Sequence, residues 1–257
     1  MDIEKTPFSL TGKNIIVTGA SSGIGRQCAI NCSQMGANVI LLGRDKQRLD
    51  QTLNSTTTPL KHLTYSLDLL DYSKVEEVLK DIVSQKGKIH GLVNCAGIST
   101  TLPLRAITPR KLDEFLHTNV HGGIQLTKLV TKKAFISEEG GCIIFITSVM
   151  GAVGEAGKSL YSMSKGALIA GSKSLAIELA SKKIRVNCIS PGVVETPMSK
   201  EAVYSQDETS LNQIKSYHPL GLGQAEDVAN ACIYLLSEAS KWVTGINLFV
   251  DGGYTAR

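Results

Sequence analysis

The sequence predicts an α/β fold with one doubly wound parallel sheet and helices on both of its faces. Short apolar runs rich in Val and Ile alternate with longer stretches of helical pattern along the chain. A glycine-rich turn, Gly19-Ala20-Ser21-Ser22-Gly23-Ile24-Gly25, separates the first such run from the first helix. Because parallel strands need a long crossover, usually a helix, this alternation indicates a parallel sheet covered by helices.

The first predicted strand is the β-branched run 14–18, which stops at Gly19. A helix over 26–35 follows, with Gly36 in the C-terminal cap position. The later elements are a strand at 38–42, a helix at 45–53, a strand at 61–66, a helix at 72–85, a strand at 91–94, a helix at 109–133, a strand at 141–146, a helix at 159–181, a strand at 185–189, a helix at 225–236 and a strand at 245–250. Residues 199–222 lack a clear period, which is typical of a lid or a disordered connection, and we expect a substrate lid there.

Composition narrows the class of protein. At 257 residues with 42% apolar residues and no composition break, residues 1–257 fit one domain of the larger α/β type. The net charge of +4 comes without a Lys/Arg block, so no nucleic-acid partner is expected. No apolar run reaches membrane-spanning length, and the N-terminus is polar, so we expect a cytoplasmic protein without a membrane partner. The six cysteines and five histidines show neither disulfide nor metal-ligand spacing, so no metal is expected.

The glycine-rich turn is a candidate phosphate-binding site. Glycines let the backbone approach a pyrophosphate, and a helix N-terminus offers free N–H groups and a positive dipole end. The alternative is a tight turn that only needs positive φ angles. The position of the turn, between a first strand and a first helix, favours dinucleotide binding.

Tyr161 and Lys165 are a candidate catalytic pair. They lie four residues apart in a predicted helix, so their side chains share one helix face. An ammonium beside a phenol lowers the pKa of the phenol from its ordinary value of about 10. This makes Tyr161 a candidate general acid/base. The same spacing also joins an exposed tyrosine to a solvated lysine by chance. Ser148 ends an apolar strand, where its hydroxyl either bonds a substrate oxygen or forms a turn.

The order of these motifs resembles that of the classical short-chain dehydrogenase/reductase family over nearly the whole chain. The run from Thr18 to Gly25 is similar to the family motif Thr-Gly-x-x-x-Gly-Ile-Gly, and Asn94-Cys95-Ala96-Gly97 resembles Asn-Asn-Ala-Gly with Cys95 in second place. Ser148 lies thirteen residues before Tyr161, as in the family. The pattern is most similar to that of 3-oxoacyl-(acyl-carrier-protein) reductases. It implies a Rossmann fold and an oxidoreductase that moves a hydride between a nicotinamide cofactor and a ketone or secondary alcohol.

The resemblance also implies roles for single residues. Tyr161 exchanges the proton, Ser148 positions the substrate oxygen, and Lys165 binds the nicotinamide ribose and lowers the pKa of Tyr161. Asn119, within Thr118-Asn119-Val120, orders a water that links Lys165 to solvent, although a mid-helix asparagine also satisfies local backbone groups. The implied cofactor contacts are Gly19, Ser21, Ser22, Gly23, Ile24, Gly25, Arg44, Asp68, Leu69, Asn94, Ala96, Gly97, Tyr161, Lys165, Pro191, Gly192, Val194 and Thr196.

The residues after the second strand bear on cofactor choice. In NAD-binding relatives an aspartate follows this strand, whereas here Gly43 is followed by Arg44, which suits a 2′-phosphate. The sequence therefore favours NADP(H), with NAD(H) as the alternative. Arg44 also fits a solvated surface charge, and Ser21 and Ser22 are neutral where many NADP-binding relatives carry a basic residue.

The substrate is less well defined by the sequence. We expect a pocket formed by residues 99–104, 150–157 and 199–217, with an apolar lining that includes Leu102, Met150, Val153 and Tyr204. Ile177 occupies the place where acyl-carrier-protein reductases often have an arginine for their acidic carrier. A reductase of a sugar, polyol or other small ketone is therefore the alternative, and a non-catalytic NADP(H)-sensing regulator is the alternative from another class. The resemblance implies a homotetramer formed through the helices around Asn119 and Tyr161 and the last strand, at 247–251.

Overall fold

We describe the protein from a computed structural model, which describes residues 6–202 and 207–256. The strands are β1 (Asn14–Thr18), β2 (Asn38–Gly43), β3 (Leu63–Ser66), β4 (Gly91–Asn94), β5 (Gly141–Ile146), β6 (Ile184–Pro191), β7 (Val194–Glu195), β8 (Gly223–Gln224) and β9 (Asn247–Val250). Seven of them form one parallel sheet in the order β3-β2-β1-β4-β5-β6-β9, and β7 pairs with β8. The predicted doubly wound parallel sheet is confirmed.

The helices between the strands explain why the sheet is parallel, since most crossovers contain one. They are α1 (Gly23–Gln34), α2 (Lys46–Asn54), α3 (Tyr72–Lys86), α4 (Pro109–Leu116), α5 (Gly122–Val130), α6 (Ser159–Leu179), α7 (Pro197–Lys200), α8 (Glu208–Ser216) and α9 (Ala225–Leu236). The predicted cap after α1 is present, and α2 also has a cap at its start. Asp45 accepts a hydrogen bond from the Arg48 N–H at the start of α2, and Gly36 has a φ of +89° just after α1.

The core lies in two layers, one on each face of the sheet. Side chains alternate along a strand, so Ile15 and Val17 of β1 face α1 and α9, while Ile16 faces the opposite layer. That layer contains α3 and α6, which contribute Leu79 and Leu168. Because both faces are covered, the strands consist of continuous apolar runs, and this is why the sequence shows them clearly.

Two parts of the structure differ from the sequence prediction. The helix predicted over 109–133 is divided by a π-helical turn, His117–His121, and α5 ends at Val130. The turn places the side chain of Asn119 in the interior, and an extra residue in a helix of this kind often occurs at functional sites. Residues 199–222 contain α8, which the sequence pattern did not reveal because Ile214 is its one buried residue.

The chain leaves β1 in one direction and returns to β4 on its other side, so the strand order reverses between them. At such a point the carboxyl ends of the strands form a crevice. The threonine that ends β1 and the asparagine that ends β4 both lie there, and so does the glycine-rich turn. The fold thus brings the sequence motifs to one edge of the sheet. Within the described residues, no helix has both the length and the apolarity that crossing a membrane requires.

Candidate active site

A cavity of about 530 Å³ lies at the carboxyl edge of the sheet. All the predicted catalytic and cofactor residues line it except Asn94 and Asn119, which line an adjoining small void. The structure therefore brings together residues that are spread over 178 positions of the chain, from Gly19 to Thr196. Among the described residues, no group of three or more His, Cys, Asp or Glu side chains is arranged to hold a metal ion.

The glycine-rich turn is built to bring its backbone close to a ligand. Gly19 and Gly23 have positive φ angles of +65° and +53°, a conformation that glycine adopts without strain. A Cβ on Gly25 would lie 2.5 Å from the carbonyl oxygen of Gly19, so only glycine lets α1 start this close to the turn. The side chain of the N-cap residue Ser22 makes no hydrogen bond to the first N–H groups of α1. This arrangement fits a pyrophosphate group.

Thr18 connects the two strands that border the crevice. Its Oγ1 accepts hydrogen bonds from the backbone N–H groups of Cys95 and Ala96, each at 3.0 Å. The sequence analysis quoted this threonine as part of a motif and assigned it no role. Its position at the end of a buried strand, directly before the first glycine, was the available signal.

Two arginines border the far end of the cavity. Arg44 follows β2, Arg48 lies in the first turn of α2, and both line the cavity. Both side chains are exposed, and neither is within ion-pair distance of a carboxylate in the part of the chain that the structure describes. The Oγ of Ser66 donates to the carbonyl of Arg44 and holds its backbone. The sequence analysis missed Arg48.

Lys165 is buried below Tyr161. Its side chain is 5% exposed, and its Nζ donates to the carbonyl of Ile146 at 2.9 Å. The ammonium lies 5.7 Å from the centroid of the Tyr161 ring. Burial lowers the pKa of Lys165 to about 8, while the nearby thiols of Cys95 and Cys188 act weakly in the opposite direction. A cation held without a carboxylate partner under a phenol ring favours the phenolate.

Ser148 reaches the cavity from the end of β5. Its Oγ accepts a hydrogen bond from the Met150 N–H at 3.2 Å, so the serine does form a turn, as the alternative interpretation held. An acceptor bond leaves the hydroxyl hydrogen free to be donated. Ser148 can therefore form the turn and also donate to a ligand oxygen in the cavity.

Asn119 is anchored by three hydrogen bonds of its side chain. Its Oδ1 accepts from the Ile98 N–H, and its Nδ2 donates to the Ile98 carbonyl and to the Oγ of Ser164. The void of about 10 Å³ beside it is also lined by Asn94 and Lys165, and it has room for one water molecule. The Oδ1 of Asn94 is buried there without a hydrogen-bond partner in the described structure. Such a water would satisfy it.

Lys158 is a buried charge that lines the cavity, and the sequence analysis did not single it out. It is 8% exposed, and its Nζ donates to the Oγ1 of Thr101 at 2.8 Å. Burial lowers its pKa from the ordinary lysine value. With the backbone bond from Leu102 N–H to the Gly157 carbonyl, it fixes the loop before α4 to the start of α6.

The predicted apolar lining is present only in part. Met150 lines the cavity, whereas Leu102 and Val153 do not, and Tyr204 lies outside the described residues. Other apolar side chains replace them, namely Met198, Ile214 and Tyr254. The last two come from α8 and from the C-terminus, whose position relative to the site depends on the tertiary fold.

The chain matches known proteins over almost its entire length. Residues 19–255 match the family model described as enoyl-(acyl carrier protein) reductase. The chain is 35% identical over 246 residues to the 3-oxoacyl-[acyl-carrier-protein] reductase FabG of Thermotoga maritima, with 95% of this chain and 98% of the relative covered. It is also 35% identical to the FabG of Escherichia coli strain K12, over 96% of this chain and 98% of the relative.

Other relatives differ in their activity. The L-xylulose reductase of Caenorhabditis elegans is 33% identical, over 96% of this chain and 98% of the relative. A crystal structure described as a short-chain alcohol dehydrogenase of Sinorhizobium meliloti superposes with a TM-score of 0.91 at 28% identity, covering 98% of this chain and 99% of that one. Similar overall identities thus accompany reductases of different substrates.

Proposed function

We propose that this chain, which belongs to the short-chain dehydrogenase/reductase family, uses NADP(H) to reduce a ketone, most specifically a 3-oxoacyl thioester. The observation that supports this proposal is the convergence of Ser148, Tyr161 and Lys165 on one cavity that also contains the glycine-rich turn. As a member of this family, the chain is an oxidoreductase acting on CH–OH groups.

The side chains of the site suit the proton half of the reaction. A bound nicotinamide supplies or accepts the hydride. The Ser148 hydroxyl donates to the carbonyl oxygen and holds it beside Tyr161, whose phenol gives up its proton as negative charge develops on that oxygen. Lys165 stabilises the resulting phenolate through its ammonium.

Asn119 and the small void suit the supply of a replacement proton. Two side-chain bonds of Asn119 fix the π-helical turn against the loop after β4, and the third fixes it against Ser164 of α6. A water in the void would lie beside the Lys165 ammonium and would donate a hydrogen bond to the Oδ1 of Asn94. We assign Asn119 the role of holding this part of the site in place for a proton relay from solvent through Lys165 to Tyr161.

The cofactor assignment rests on charge at the far end of the cavity. An aspartate that would select NAD is replaced by Gly43, and Arg44 and Arg48 present two guanidinium groups. Charge-assisted hydrogen bonds from arginine suit a 2′-phosphate. We therefore propose NADP(H) over NAD(H). The rest of the dinucleotide would be contacted by the remaining predicted residues. These lie in the glycine-rich turn, the Asp68-Leu69 segment and the loop from Pro191 to Thr196.

The substrate assignment follows the relatives named as 3-oxoacyl-[acyl-carrier-protein] reductases. Two observations favour a second candidate, a small polar ketone such as a ketose. One is the L-xylulose reductase among the relatives, and the other is the charge of Lys158 on the substrate side. Ile177, in the place of an expected arginine, is 79% exposed and offers no charge to an acidic carrier.

Exposed apolar side chains support the proposed homotetramer. Met163 and Ile177 are exposed on α6, the helix of Tyr161, where a second copy would cover them. Phe249 is exposed on β9, which is an edge strand of the sheet, and Trp242 is exposed in the turn before it. We propose that the chain forms a single cytoplasmic domain over residues 1–257, and that residues 199–222, including α8, act as a lid over the substrate side.

A substrate comparison tests the proposal. The purified protein is given NADPH with acetoacetyl-coenzyme A or with L-xylulose, and each reaction is repeated with NADH. We expect the thioester to be reduced with NADPH at the higher kcat/KM. Reduction of L-xylulose alone would assign the second candidate, and a higher kcat/KM with NADH would contradict the proposed role of Arg44.

A further inference from the structure

His218 is a buried histidine that the catalytic proposal does not use. It lies two residues after α8 and is 3% exposed, and it does not line the cavity. Its ring packs against the ring of Tyr254, with centroids 4.9 Å apart. A buried imidazole of this kind could merely fill the core, but both of its nitrogens have specific partners.

The two ring nitrogens bond two separate parts of the site. Nε2 lies 3.1 Å from the backbone N of Val193, in the loop after β6, and Nδ1 lies 2.8 Å from the carbonyl of Ile214, in the last turn of α8. A backbone N–H can only donate, so Nε2 must accept. A carbonyl can only accept, so Nδ1 must carry the hydrogen. The geometry therefore assigns the neutral Nδ1–H tautomer.

The two partners of His218 both border the cavity. Val193 belongs to the loop 191–196, which the proposed function places at the nicotinamide, and Ile214 belongs to α8, which the proposed function places over the substrate. The loop is pressed against the ring, since a Cβ on Gly192 would lie 2.9 Å from Nε2. Movement of α8 away from the cavity would thus pull on the loop through one rigid imidazole.

We propose that His218 is a positioning residue which couples the nicotinamide-side loop to helix α8. Binding of the nicotinamide end of the cofactor and positioning of α8 on the substrate side are then coupled events. This inference rests on the proposed dinucleotide site. By linkage, each of the two events favours the other. The adenosine end of the cofactor would be held at Arg44, and its binding would not involve His218.

A comparison of two ligands isolates this role. The affinities of NADPH and of 2′-phospho-ADP-ribose, which lacks the nicotinamide, are measured by calorimetry for the wild type and for His218→Phe. We expect the variant to bind NADPH about tenfold more weakly, because the Val193 N–H loses its acceptor, and to bind 2′-phospho-ADP-ribose equally well. A core-filling role would leave the ratio of the two affinities unchanged, and that result would overturn the proposal.

Two further variants separate the two bonds and cover the case in which the phenylalanine variant does not fold. In His218→Gln the amide oxygen reaches the position of Nε2 and keeps the bond to Val193, whereas in His218→Asn the amide nitrogen takes the position of Nδ1 and keeps the bond to Ile214. We expect the glutamine variant to keep its NADPH affinity and the asparagine variant to lose about tenfold.

Hydrogen exchange of α8 gives the complementary measurement. In the wild type we expect NADPH, and not 2′-phospho-ADP-ribose, to slow amide exchange in residues 208–216, and we expect His218→Gln to lose this protection. Equal protection in the wild type and the glutamine variant would contradict the coupling. Wild-type protein that binds neither NADPH nor NADH would overturn the dinucleotide site itself, which is a different failure.

Discussion

The buried charge of Lys165 makes the stability of the protein depend on pH in a way that one variant can isolate. The side chain is 5% exposed, no carboxylate in the described part of the chain pairs with it, and burial lowers its pKa to about 8. In the unfolded chain the pKa is about 10.4. Below pH 8 both states carry the proton, so the full cost of burying the ammonium is present there.

Between pH 8 and about 10.4 the unfolded chain still holds the proton that the folded protein has released. Stability therefore rises with pH through this window as far as Lys165 is concerned. Each unit of difference between the pKa of Lys165 in the folded and in the unfolded state corresponds to about 1.36 kcal/mol. The free energy of unfolding therefore increases by about 3 kcal/mol across this window. In Lys165→Met the titrating group is absent, and the Ile146 carbonyl loses a donor at every pH.

The assay is urea unfolding of the protein without cofactor, followed by circular dichroism, because the single tryptophan, Trp242, is 97% exposed and is a poor probe of the core. We expect the free energy of unfolding of wild type minus that of Lys165→Met to increase by about 3 kcal/mol from about pH 7 to about pH 10.5. Lys173→Met, on the exposed side of the same helix, is the control and should give a constant difference. A constant difference for Lys165→Met as well would refute the reasoning.

Three further predictions concern the cofactor site and the surface. Gly25→Ala places a Cβ 2.5 Å from the Gly19 carbonyl oxygen and should weaken NADPH binding at least about tenfold. Gly154→Ala, with open space around it, is the control and should have no effect. Equal NADPH affinities of the two variants in a titration would contradict the role of the glycine-rich turn. Arg44→Ala should weaken NADPH binding about tenfold or more and leave NADH binding unchanged, and parallel losses for both cofactors would exclude a phosphate contact. Ile177→Glu should reduce the molar mass measured by light scattering, and an unchanged mass would remove α6 from the interface.

The parts of the fold that the sequence predicted are those whose signal is local. The strands of the sheet are apolar and bounded by glycines or polar turns, so their existence follows from the pattern along the chain. The glycine-rich turn was predictable for the same reason, since its spacing and its neighbours are both local. The close approach of Gly25 to the Gly19 carbonyl explains why the motif has a glycine at this position.

The parts that were missed depend on contacts between distant segments. In the π-helical turn the Asn119 side chain bonds the backbone of Ile98, 21 positions away in the chain, and no period in the helix shows this contact. Lys158 reaches Thr101 across 57 positions, so its burial could not be deduced from its own neighbours. His218 is similar, since its tautomer is defined by Val193 and Ile214 only after folding.

The most direct test of the central claim compares the wild type with Tyr161→Phe in two measurements on the same preparation. Binding of NADPH is followed by calorimetry, and turnover with acetoacetyl-coenzyme A is followed by the loss of NADPH absorbance. The account predicts a loss of at least about a hundredfold in kcat for the variant, because the proton donor is removed, while NADPH still binds, because the phenol is one of many implied cofactor contacts. Turnover that survives the loss of the phenol would contradict the assignment of Tyr161 as the acid of the reaction.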